Sequence, residues 1–128
     1  MNLTRLALVV DAAGGLAGGL LLVAGGELVA SLTGIPTAIS LPIGLFLLAL
    51  GAFIAWVAAQ RETPRGPAML IVLINCVWVI GSAIVLVPGV LPLTLFGVGF
   101  VIVQAVAVAA LAAMQWIGLG RIGLRTTA

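Results

Sequence analysis

The chain has 128 residues, of which 64% are hydrophobic and only 6% charged, and its mean hydropathy is +1.44. A soluble domain carries about a quarter of its residues as charges, so this composition excludes that class and points to an integral membrane protein. The net charge of +2 comes from five arginines against three acids; the arginines are scattered singly, which excludes the basic patch of a nucleic-acid-binding protein.

The first predicted element runs from Leu6 to Ser31 and contains Asp11, Glu27 and three glycine pairs. Gly14, Gly15, Gly18, Gly19, Gly25 and Gly26 would each cost roughly 1 kcal/mol against alanine in a water-soluble helix. In lipid, the pairs Gly14/Gly18 and Gly15/Gly19 let a neighbouring backbone approach at i, i+4 spacing, and van der Waals contact then replaces the hydrophobic drive that lipid removes. Arg5 could serve a secretory signal, but the apolar run behind it is interrupted by Asp11 and outlasts a signal core of about 7 to 15 residues. The segment is therefore read as retained. Asn2-Leu3-Thr4 fits the glycosylation pattern, and its place on the side assigned below to the cytoplasm makes it a chance match.

Three more apolar runs follow, over residues 38–60, 68–87 and 91–117, each near the ~20 residues that cross a hydrocarbon core. Backbone groups in lipid must be satisfied within the segment, and no period-two alternation marks a barrel. The expected fold is therefore all-α: a polytopic membrane protein, one domain of four transmembrane helices in a compact bundle, with residues 118–128 as a tail. Thr33-Gly34-Ile35-Pro36, the polar segment from Arg61 to Pro67, and Val87-Pro88-Gly89 are the connections. Pro42 and Pro92 are placed in the first turns of helices two and four, where a missing N–H costs little.

Arg5, Arg61, Arg65, Arg121 and Arg125 all fall on one side of this topology, and the two remaining connections hold no basic residue. The positive-inside rule makes that side cytoplasmic, with both termini inside. Trp56 and Trp116 come near the same ends, at headgroup level, whereas Trp78 is deeper and is expected between helices. Residues 41–46 (LPIGLF) and 91–96 (LPLTLF) share four of six positions at an offset of fifty. Two parallel hairpins related by duplication explain this echo, and so does low-complexity apolar sequence.

The polar residues inside the runs are the candidate site. Asp11 lies in the cytoplasmic half of helix one, and an intramembrane acid is a functional candidate by default; a structural alternative is a carboxyl bonded to Asn75 or a glutamine, or paired with a snorkelling arginine. Glu27, about 160° around the helix from Asp11, shares no face with it, which argues against a two-carboxylate acid/base site. Asn75, Trp78 and Ser82 form one stripe in helix three, and Gln104, Val108, Leu111 and Gln115 another in helix four. Asp11, Asn75, Ser82, Gln104 and Gln115 are thus a candidate intramembrane polar site, either a structural network or a substrate or proton site.

These residues, with the segment Asn75-Cys76-Val77-Trp78-Val79-Ile80-Gly81-Ser82, resemble a group of small four-helix bacterial integral membrane proteins of unknown function. The resemblance implies the four-helix architecture and a bacterial inner membrane, and no activity.

Catalytic groups are absent where they can be sought. The chain has no histidine and no lysine, which removes the commonest general base, the commonest metal ligand and the Schiff-base nucleophile. The single Cys76 builds neither a disulfide nor a thiolate metal site and is expected as a buried small hydrophobe. The glycine run follows no strand and has no lysine, so it is neither a dinucleotide fingerprint nor a P-loop. No catalytic residue, metal or cofactor is expected. The leading functional expectation is a non-catalytic structural or accessory subunit that packs against itself or a membrane partner. The alternative is a small oligomeric transporter or channel using Asp11 and the nearby amides, with an enzyme acting on lipid or quinone a third.

Overall fold

The structure is a computed structural model that describes residues 2–127, with side chains described for residues 2–120. Its elements are α1 (Leu3–Ala24), α2 (Gly26–Thr33), α3 (Thr37–Ala59), α4 (Arg65–Val85) and α5 (Leu95–Thr127), and no strand occurs among the described residues. Four of these helices, α1, α3, α4 and α5, are long and apolar enough to cross a membrane. Most of their surface is apolar and exposed: Val77 retains 67% of its area and Val103 69%. In water such a surface would drive aggregation; lipid is the solvent that suits it.

The predicted first helix is divided. A bend at Gly25, with φ −111° and ψ 25°, separates α1 from α2. A glycine pair there has no side-chain contacts to keep a helix straight, and α1 alone, at about 33 Å, already spans the hydrocarbon core. Asn2, the residue of the chance glycosylation match, caps α1 by accepting the Arg5 N–H at 2.8 Å.

The short α2 lies across the end of the molecule away from the arginines. A Cβ built on Gly26 would stand 3.8 Å from Thr37 Cγ2 in the first turn of α3. At the other end of α2, the Thr33 carbonyl accepts the Thr94 N–H at 3.0 Å, just before α5. Val29 and Thr33 are buried, Leu28 and Leu32 are exposed apolar, and Glu27 and Ser31 are exposed polar. Three stripes of this kind, one against protein, one for lipid and one for water, suit a helix in the interfacial plane. Gly34 ends α2 with φ +80°, the left-handed cap glycine adopts most readily, and a Cβ there would strike the Pro92 carbonyl.

Two proline placements are corrected. Pro42 is the sixth residue of α3, beyond its first turn, so its missing N–H leaves a carbonyl of the preceding turn without its helical donor. Pro92 lies outside α5, which begins at Leu95 because Thr94 caps it: its hydroxyl accepts the Gly97 N–H at 3.0 Å and donates to the Leu32 carbonyl at 2.6 Å. Segments 41–46 and 91–96 therefore have different conformations, and their likeness in sequence does not extend to structure. Val87-Pro88-Gly89-Val90 is a β-turn with Gly89 at φ +90°, closed by Val90 N–H to the Val87 carbonyl at 3.2 Å. At the other end, α5 continues as helix through most of the expected tail, to Thr127.

Helix α1 packs on α3 and on α5, α4 packs on α5, and α3 meets α4 over a short stretch. The tight α1–α3 contact is made by glycines from both helices. A Cβ on Gly19 would come within 2.8 Å of the Gly44 carbonyl, and one on Gly51 within 2.9 Å of Leu16 N. Gly15 faces Gly51 more loosely, Gly18 touches only Leu47, and Gly14 has nothing within 4 Å. Of the predicted packing glycines, then, Gly15 and Gly19 meet α3, and Gly14 faces outward.

The main apolar core joins Leu8, Ala12, Ile54, Val57, Ala68, Ile71 and Leu119 from all four long helices. It lies at the arginine-bearing end. There Arg5 Nη2 donates to the carbonyls of Gln60 and Arg61 beyond the end of α3, and Arg65 Nη1 to the Leu119 carbonyl at 3.0 Å. These contacts place Arg5, Arg61 and Arg65 at one end; the side chains of Arg121 and Arg125 lie outside the described residues. Trp56 and Trp116, both more than half exposed, flank the same end, and Trp56 stacks on Phe53.

Candidate functional site

The five polar residues picked out in the sequence do not form one cluster. They divide between two networks at different depths, because α4 and α5 run alongside each other and bring residues into register at two levels.

The first network lies one turn above the arginine-end core. Asp11 on α1, Asn75 on α4 and Gln115 on α5 converge there, 8%, 4% and 0% exposed respectively. Asn75 Nδ2 and Gln115 Nε2 each donate to Asp11 Oδ2 at 2.8 Å, and Asn75 Nδ2 also donates to Gln115 Oε1 at 3.1 Å. The side chains close a triangle in which one acid oxygen receives two amide donors. Placing these groups in an apolar interior without partners would cost several kcal/mol, so the triangle fixes how α1, α4 and α5 rotate against one another. The snorkelling arginine offered as an alternative partner for Asp11 is not found among the described side chains, since Arg5 and Arg65 hydrogen-bond to backbone carbonyls.

The second network joins only α4 and α5. Trp78 Nε1 donates to Gln104 Oε1 at 2.7 Å, Gln104 Nε2 donates to Ser82 Oγ at 2.9 Å, and the Ser82 hydroxyl donates to the Trp78 carbonyl at 2.9 Å. Ser82 and Gln104 thus sit with Trp78, away from Asp11. Trp78 is half-buried because its indole N–H has a partner in the second helix; the sequence signal for it was its place between Asn75 and Ser82 on one stripe.

Cys76 is exposed, correcting its expected burial. It is the neighbour of Asn75 on α4, and a helix that turns Asn75 inward carries the next residue about 100° away, toward lipid. Among the described residues no group of three or more His, Cys, Asp or Glu is placed to hold a metal ion.

Sequence reasoning left two features unassigned. One is the pair Gly44 and Gly51, the α3 half of the glycine contact, whose seven-residue spacing was the available signal. The other is a groove of about 410 Å³ at the α1–α2 bend, lined by Glu27 and Ser40 among others. Neither this groove nor the smaller one beside Arg5, Val9 and Ala12 is lined by Asp11, Asn75, Gln104 or Gln115.

No family model matches the chain, and no curated protein or solved structure matches it either.

Proposed function

We propose that this integral membrane protein is a non-catalytic structural or accessory subunit. It sits in a bacterial inner membrane as a compact four-helix bundle with both termini cytoplasmic, and it associates with a second copy or another membrane protein. One observation carries the reading: Asp11, Asn75, Ser82, Gln104 and Gln115 bond to side chains of other helices, and neither groove reaches them. A transport pathway needs polar groups that face water or an exchangeable ligand; these hold helices together.

The orientation rests on Arg5, Arg61 and Arg65 lying at one end, which the positive-inside rule assigns to the cytoplasm. Association is supported by the outer side of α1. There Gly14 and Ala17 are exposed, and Gly14 has open space around it, so another helix can approach closely.

The test is the mass of the protein extracted in mild detergent and read by native mass spectrometry, for the wild type and for Gly14→Leu. A defined complex of two copies, or of one copy with a different chain, that Gly14→Leu dissociates is the expected result. A wild-type monomer overturns the subunit reading. So does proton or solute flux in reconstituted liposomes that exceeds empty controls and is abolished by Asp11→Asn, a result that establishes the transporter.

A further inference from the structure

The groove at the α1–α2 bend has a composition that lipid contact alone does not explain. Because α1 ends at Ala24 and α2 starts at Gly26, the carbonyls of Leu22, Val23 and Ala24 and the N–H groups of Gly26, Glu27 and Leu28 belong to neither helical ladder. The end of α1 presents partial negative charge and the start of α2 partial positive charge. All six of these residues line the groove.

Two side chains add to this pair of helix ends. Glu27 stands in the first turn of α2 and is exposed. Ser40 on α3 also lines the groove; it is only 1% exposed, and its hydroxyl has no hydrogen-bond partner. A buried hydroxyl left without a partner costs about 1 to 3 kcal/mol, so it marks a place where a polar ligand atom fits. A Cβ on Gly26 would lie 3.9 Å from Ser40 Oγ, which puts that hydroxyl at the electropositive start of α2. Leu28 and Leu41 border the groove and are exposed, offering apolar walls at the level where α3 begins, which is the depth of lipid head groups.

We propose that this groove binds a phosphoethanolamine head group of a membrane lipid. The phosphate is held by the N–H groups at the start of α2 and by the Ser40 hydroxyl. The primary ammonium is held by the Glu27 carboxylate and the free carbonyls at the end of α1, and the acyl chains pass along Leu28 and Leu41. Broken membrane helices use their two half-ends in this way for anionic and cationic groups. A phosphocholine head group has no N–H to donate, and a phosphoglycerol head group has no cation; both are poorer ligands by this chemistry.

The experiment uses the full chain, delipidated in mild detergent and then offered phosphatidylethanolamine, phosphatidylcholine or phosphatidylglycerol with matched acyl chains, with bound lipid counted by native mass spectrometry. Retention of phosphatidylethanolamine is expected to exceed that of the other two about tenfold, the worth of one charge-assisted hydrogen bond. Glu27→Gln is expected to abolish the preference and Ser40→Ala to weaken retention several-fold, while Glu62→Gln at the opposite end leaves it unchanged. Unaltered helical circular dichroism checks that the variants fold. Equal retention of the three lipids, or a preference that survives Glu27→Gln, overturns the proposal. Displacement of the lipid by soluble phosphoethanolamine at equal concentration overturns the lipid assignment in favour of a water-soluble zwitterion.

Discussion

Gln115 Nε2 donates to Asp11 Oδ2 at 2.8 Å, and 104 residues of chain separate the two. With Asn75 bonded to the same oxygen, this contact ties the last span to the first and decides which face of each helix turns inward. Its energetic weight can be read by changing the acid alone.

Asp11→Asn keeps a carbonyl oxygen that can accept both amide donors, and Oδ1, which the new amide nitrogen would replace, has no partner among the described residues. The thermal stability of the variant in detergent should stay within about 0.5 kcal/mol of wild type. Asp11→Leu removes the shared acceptor, strands the Gln115 amide donor and leaves Asn75 only its bond to Gln115 Oε1; the loss should be about 1 to 3 kcal/mol. Equal destabilisation by both variants would show that the charge of Asp11 matters more than its acceptor geometry.

The α1–α3 glycine contact predicts opposite outcomes for residues five apart. Gly19→Ala forces a methyl against the Gly44 carbonyl and Leu48, and overpacking of this kind costs about 1 to 3 kcal/mol. Gly14→Ala meets open space and should leave unfolding unchanged or raise its midpoint, because alanine favours the helix. A pair of unfolding curves in one detergent reads this intramolecular contact, while the approach of another helix to Gly14 is read separately, from the mass of the complex.

The two polar networks share no residue, which makes their energies separable. Gln104→Leu removes the acceptor of Trp78 and a donor to Ser82 and should cost about 1 kcal/mol, in the range measured for hydrogen bonds between membrane helices. Combined with Asp11→Leu, the losses should add within about 0.5 kcal/mol. A coupling energy clearly above that would mean the five residues act as one cluster after all.

Arg5 closes the end of α3 by donating to the Gln60 and Arg61 carbonyls. Arg5→Ala should destabilise the protein by about 1 kcal/mol and expose the segment between α3 and α4 to protease, since the negative end of the helix loses its cation. Arg5→Lys should recover only part of the loss, because the lysine ammonium nitrogen lies one bond short of Nη2, the nitrogen that reaches both carbonyls. Proteolysis rates of the three forms make the comparison.

The sequence by itself determined the number and rough extent of the spans, because lipid demands long apolar runs whose backbone bonds are internal, and that demand is written in local composition. It also picked out Asp11, Asn75, Ser82, Gln104 and Gln115, since a polar side chain in such a run is conspicuous wherever it points. Tertiary structure alone decided how these residues divide, because partnership depends on the rotation and register of helices far apart in the chain. Asp11 and Gln115 could be named, but only the packing of α1 on α5 shows that they meet while Gln104 turns to Trp78. The same holds for the bend at Gly25. A glycine pair permits a continuous helix or a broken one, and the anchoring of Thr33 by Thr94 at the start of α5 draws α2 across the end of the molecule and opens the groove over Ser40.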